Sequence, residues 1–121
     1  MGAKKYPIRL KFRVKLTADG TGEITSERIN HGEVLACQSI AFRNQTGARG
    51  TLELFIRQMD ALTFIADQTS PAANRWYWYP YTQHIKEGEA IKAEQASCLT
   101  NDILDLQIIG YKTYSGEGDI Q

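Results

Sequence analysis

From Ile8 to Leu16 the chain alternates without a break: Ile8, Leu10, Phe12, Val14 and Leu16 are apolar, and Arg9, Lys11, Arg13 and Lys15 stand between them. A period of two puts each set on its own side of an extended strand, so the segment predicts a strand with one buried and one cationic face. Asp19-Gly20 and Gly22 supply positive-φ turn chemistry, and a second strand is expected over 23–29. His31-Gly32-Glu33 reads as another reversal, residues 34–42 suit a sheet, and 44–50 (NQTGARG) read as a loop. Leu52, Leu54 and Ile56 alternate with Glu53, Phe55 and Arg57; Met59-Asp60 interrupts, and Leu62, Phe64 and Ala66 resume the period. Two strands follow from this, although TLELFIRQMDAL also holds good helix formers and leaves a short helix over 50–59 as the competing local reading.

Residues 67–74 (DQTSPAAN) are turn-rich, the aromatic run 75–81 forms a sixth strand, and 82–89 turns the chain at Gly88. Residues 90–97 and 103–111 complete the pattern, with Thr100-Asn101-Asp102 between them. Eight short strands with Gly or Asn/Asp punctuation and no sustained helical period predict an all-β fold, an antiparallel sandwich or barrel. At 121 residues the chain is expected to form one domain over 1–114, with 115–121, small and acidic, as a flexible C-terminal tail.

Fourteen basic and fourteen acidic residues cancel. The balance hides an asymmetry, because Lys4, Lys5, Arg9, Lys11, Arg13 and Lys15 fall in the first 16 residues with no acid among them, leaving −6 for the remainder. Four cations in line on a strand repel one another unless acids on a neighbouring strand or a partner compensate. The row therefore reads either as a solvated edge that discourages strand pairing or as an electrostatic docking surface. No apolar h-region follows Met1, so neither a signal peptide nor a membrane span is expected, and Cys37 and Cys98 read as free, partly buried thiols. Asn44-Gln45-Thr46 matches a glycosylation acceptor that, without secretion, reads as chance.

Catalytic chemistry finds little support. His31 and His84 both fall in predicted turns, no G-x-S-x-G elbow surrounds a serine, and Gly47-Ala48-Arg49-Gly50 lacks the Lys-Ser/Thr that completes a phosphate cradle. Asp102 and Asp105 have no EF-hand spacing around them. The chain is expected not to be an enzyme, and to use no cofactor and no metal.

The aromatic run RWYWYPY poses the sharpest question. On a strand Trp76, Trp78 and Pro80 share one face and Tyr77, Tyr79 and Tyr81 the other. Burying an indole is worth roughly 4 to 6 kcal/mol before entropy, so at least one tryptophan is expected in the core. The tyrosine face, together with Trp78, is then the expected partner or self-association surface, because a phenol tolerates a half-wet position. Pro80 belongs at a strand end or sheet edge. A sugar could stack on the same aromatics beside Asn74, Gln83 or Asp67, which keeps a carbohydrate-binding module as the alternative reading. Direct nucleic-acid binding is not expected, since only Arg75 and Lys86 lie nearby in sequence, unless the sheet brings Lys11 or Arg13 alongside.

Residues 85–97 (IKEGEAIKAEQAS) and 101–111 (NDILDLQIIGY) resemble the closing hairpin of small all-β accessory proteins of tailed-phage virions, with a Gly-Glu turn before one strand and a Gly-aromatic pair at the end of the last. The resemblance implies a jelly-roll-like sandwich that acts as a head decoration or cement protein. It also implies a homo-oligomer, dimer or trimer, made in the host cytoplasm and bound to the major capsid protein on the outer capsid surface. With it, Lys4, Lys5, Arg9, Lys11, Arg13 and Lys15 become the expected docking cations, and a glycan remains a possible ligand.

Overall fold

A computed structural model of the chain describes residues 4–114; the expected tail, 115–121, lies outside the described residues. Nine strands follow one another: β1 (Tyr6–Lys15), β2 (Gly20–Thr25), β3 (Glu33–Asn44), β4 (Leu52–Gln58), β5 (Ala61–Gln68), β6 (Tyr77–Tyr79), β7 (Gln83–Lys86), β8 (Glu89–Cys98) and β9 (Ile103–Tyr114). The helix that competed over 50–59 does not form. Leu52 and Leu54 are buried there with Glu53 between them, and pairing to both β5 and β8 settles the segment as a central strand.

The strands form two antiparallel sheets, one ordered β1-β9-β3-β6 with β7 also on β3, the other β2-β8-β4-β5. β6 and β7 pair with successive stretches of the same edge of β3, residues 40–42 and 34–37. They are one strand interrupted after Tyr79, where Pro80 has no N–H to give the ladder. Counted so, there are the expected eight strands, ordered 1-8-3-6 and 2-7-4-5, which is the strand order of a jelly-roll sandwich.

Three local expectations change. β7, with His84 in it, occupies a stretch that reads as a turn in the sequence. Its four residues are too few to show a period, and Ile85, fully buried, is the one apolar side chain that marks it. β2 starts earlier and stops at Thr25, because the Ser26 hydroxyl accepts the Ile91 N–H at 2.9 Å where regular pairing would continue. Asn44 is buried and donates to Gln95 Oε1 and Asp102 Oδ2, which places it out of reach of a glycosylating enzyme.

The core lies between the sheets, built from Leu35, Cys37, Ile40 and Phe42 of β3, Leu104, Leu106 and Ile108 of β9, and Leu52, Leu54, Ile91 and Ala93 opposite. Ile8, Leu10, Phe12, Val14 and Leu16 pack against it from β1, as their alternation predicts. Both cysteines are free and buried. Gly110 faces Cys37 beside a bulge in β3, and the Ala36 carbonyl oxygen fills the space a Cβ would need.

A buried polar cluster ties the loop after β3 to the turn before β9. Arg49 donates twice to Asp102, at 2.8 and 2.9 Å, and the Leu99 N–H and Asn44 side chain donate to the same carboxylate. The Arg49 hydrogen bonds, against the opposing effect of burial, hold Asp102 far below the usual carboxylate range.

Candidate functional site: the outward face of the five-stranded sheet

Strand register assembles this face from four distant parts of the chain. Lys11 lies opposite Gln107, Gln107 opposite Ala41, and Ala41 opposite Trp78. One step along, Arg13 lies opposite Asp105 and Asp105 opposite Arg43. The outward cations of β1, namely Arg9, Lys11, Arg13 and Lys15, are exposed. The face therefore carries cations along one edge and indoles at the other.

Asp105 is the anchor of this arrangement. Its side chain is only 7% exposed and receives Arg13 Nε at 2.6 Å and Arg43 Nε at 2.8 Å. Burial acts to raise its pKa, but the hydrogen bonds from Arg13 and Arg43 outweigh that and keep the carboxyl below its usual range, hence ionised. Arg43 also donates to Asn74 Oδ1 at 3.1 Å and lies 4.5 Å from the centre of the Trp76 ring. A guanidinium fixed by a buried carboxylate thus holds an indole in place by cation–π stacking. Trp78 stands 6.2 Å from Trp76, centroid to centroid, and is 47% exposed. A groove of about 220 Å³ runs between the two edges, lined by Lys11, Arg13, Arg43, Trp76, Asp105 and Gln107 among others.

The aromatic run alternates as the sequence predicts, but its faces are reversed. Tyr77 and Tyr79 pack against the core, while Trp76 is half-buried and Trp78 points outward, so neither indole is a core residue. β3 decides this parity, because Tyr77 lies opposite Phe42 and Tyr79 opposite Ile40, both inward-facing. The half-buried phenols keep partners: Tyr77 Oη accepts the Ala72 N–H at 2.7 Å and Tyr79 Oη accepts Gln83 Nε2 at 3.1 Å. They border a cleft of about 90 Å³ between the margins of the sheets, with Leu52, Leu54 and Ala66 across it. Tyr81, beyond the strand, is 69% exposed and meets the edge of the Tyr79 ring.

The remaining predicted residues divide. Lys4 and Lys5 precede β1, with the Lys5 ammonium 4.7 Å from the Tyr111 ring centre. Arg9, Lys11 and Lys15 have no ion-pair partner among the described residues, whereas Arg13 is committed to Asp105. Lys11 and Arg13 do come alongside the aromatics, closing a gap of some sixty residues in sequence. Asp102 and Asp105, weighed as calcium ligands, are occupied by guanidinium groups. His31 pairs with Glu87 at 2.9 Å on an exposed turn.

The opposite face of the sandwich has the contrary charge. Register lines up Glu23, Glu94, Glu53 and Asp67 across all four strands of the second sheet. Lys92 bridges Glu23 and Glu94, at 3.3 and 2.8 Å; burial would lower its pKa, and these carboxylates more than reverse that. Beside this row lie Phe55 and Phe64, in edge-to-face contact at 6.0 Å, with Phe64 54% exposed.

No family model matches the sequence, and no curated protein matches it. Among solved structures, it is similar to a chain of the disulfide-linked pili of Bacillus endospore appendages, at 10% identity and a TM-score of 0.45, covering 92% of this chain and 93% of that one. It is similar to a chain of infectious bursal disease virus, Gx strain, at 13% identity and a TM-score of 0.48, over 93% of this chain and 32% of that one. It is also similar to a family 29 carbohydrate-binding module, at 10% identity and a TM-score of 0.41, over 98% and 93% of the two chains. Likeness at this level adds nothing to the sandwich architecture that the strand order shows.

Sequence reasoning missed Arg43, Gln107 and the role of Asp105. Arg43 ends an apolar stretch and Gln107 sits inside a strand, so neither carries a local signal. Only the parity of Arg43 with Ala41 and of Gln107 with Asp105, both two residues apart, marks them as sharing a face.

Proposed function

We propose that this chain is a non-catalytic virion structural protein, a decoration or cement protein that docks on an acidic surface of the major capsid protein through the outward face of its five-stranded sheet. The observation that carries the reading is the pairing, on one rigid face, of three uncompensated cations, Arg9, Lys11 and Lys15, with the outward indoles Trp76 and Trp78. Charge that is unpaired in the monomer steers and orients an acidic partner, and an exposed indole supplies the desolvated contact that holds it. The sequence resemblance to phage accessory proteins supports the same role and an outer-capsid location. Partner contact belongs to the indole face and Tyr81, since Tyr77 and Tyr79 are turned inward.

The test is co-sedimentation with assembled shells at low and high salt. Occupancy should fall as salt rises, and Arg9→Glu/Lys11→Glu/Lys15→Glu should lose attachment while keeping the wild-type melting curve. Unchanged occupancy in that variant removes the proposal.

One observation favours a second reading, a carbohydrate-binding module: half-buried Trp76 lines a polar groove, exposed Trp78 lies 6.2 Å from it, and Gln107 and Lys11 are unengaged. A saccharide ring stacked there would quench tryptophan fluorescence, and Trp78→Ala would lose binding in a folded protein. A titratable quench by oligosaccharide, with no shell binding, selects this reading over the first.

A further inference from the structure

Both broad faces of the sandwich carry like charges that the monomer leaves unneutralised. On the five-stranded sheet these are Arg9, Lys11 and Lys15; on the four-stranded sheet they are Glu53 and Asp67, directly opposite one another and without a cation partner among the described residues. Like charges facing across strands are destabilising, so each face holds an unfavourable arrangement that a surface of the other sign would relieve. Arg9 to Lys15 spans about 20 Å along one strand, and Glu23 to Asp67 about 14 Å across four. Each row has an exposed aromatic group on its face, Trp76 and Trp78 with the cations, Phe55 and Phe64 with the acids.

We propose that copies of this chain stack head to tail, the acidic face of the four-stranded sheet of one seated on the cationic, indole-bearing face of the five-stranded sheet of the next. This rests on the reading of the cationic face as a docking surface; a second copy occupies that face within a stack, and the end copy whose cationic face is open is the one that meets the shell. The occupant follows from charge complementarity. Arg9, Lys11 and Lys15 lie on one sheet, and Glu23, Glu94, Glu53 and Asp67 outnumber Lys92 and Arg57 on the other, so each copy presents a net cationic and a net acidic surface to the next. Because the two surfaces differ, the contact is heterologous and generates rings or filaments, not two-fold dimers.

Two variants test it. Arg9→Gln/Lys11→Gln/Lys15→Gln disables one face and Glu53→Gln/Asp67→Asn the other; none of the five residues has an ion-pair partner to lose, so both variants should melt as wild type. In sedimentation velocity at about 50 mM salt, wild type should grow beyond a dimer with concentration, and at about 500 mM it should return to monomer. Each variant alone should stay monomeric. An equimolar mixture should form a one-to-one dimer and nothing larger, since that dimer exposes only its two disabled faces. Wild type that stays monomeric at low salt, a variant that associates as wild type does through the β5 edge or elsewhere, or a mixture that stays monomeric overturns the proposal. Its failure is separable from that of shell docking. A monomeric wild type that still binds shells through Arg9, Lys11 and Lys15 removes stacking and leaves docking in place, and salt-sensitive stacking without shell binding does the reverse.

Discussion

At the scale of residues, the decisive contrast is between Trp78 and Tyr79, neighbours on a three-residue strand with opposite fates. Apolar bulk ranks the indole as the better core residue, yet it is the tyrosine, half-buried, that packs against the core. Alternation assigns two sets of side chains to two faces and cannot say which face is covered; Phe42 and Ile40, opposite Tyr77 and Tyr79, say it. Trp78→Ala should therefore change the unfolding free energy by less than about 1 kcal/mol, whereas Tyr79→Ala should cost about 2 kcal/mol, both read by urea titration. Asp102 makes a second residue-scale prediction. Its folded pKa lies below its unfolded value, so the stability it supplies is complete above about pH 4, the unfolded carboxylate range, and is lost as pH falls toward the folded pKa. Asp102→Ala should cost about 3 kcal/mol at neutral pH and flatten the loss of stability between about pH 4 and 2, because the group whose protonation drives that loss is gone.

At the scale of elements, legibility follows the length of the pattern. β1 reads plainly from its sequence, and its place at a sheet edge suits the cations that keep a further strand from pairing there. β4 is legible only against a competing helix, and its two neighbours decide it. β7 is illegible, since QHIK has one apolar side chain and its pairing with β3 is entirely long-range. The β3–β9 pair makes the element-scale prediction. Gly110→Ala drives a methyl into the Ala36 carbonyl at the bulge, where backbone on both sides cannot yield, and should cost about 3 kcal/mol or prevent folding, measured by thermal melting against wild type.

At the scale of the whole molecule, the sandwich gathers the β1 cations on the outward face of one sheet and the Glu23, Glu94, Glu53 and Asp67 row on the outward face of the other. The same enclosure governs the thiols. Burial pushes the Cys37 thiol up to about 12 and raises that of Cys98, so at neutral pH almost no thiolate is present. Native protein should resist alkylation by iodoacetamide, both cysteines should react in denaturant, and a reductant should leave the melting temperature unchanged. The all-β class, most strand positions and the buried face of β1 were determined by the sequence alone, because period-two patterning and turn residues act between near neighbours. The orientation of the aromatic run, the existence of β7, the Arg13–Asp105–Arg43 anchor and the groove between Lys11 and Trp76 were decided by tertiary structure alone. The physical reason is that these depend on register between strands far apart in the chain, and register is fixed by how both sheets close over one core, a property no short segment contains.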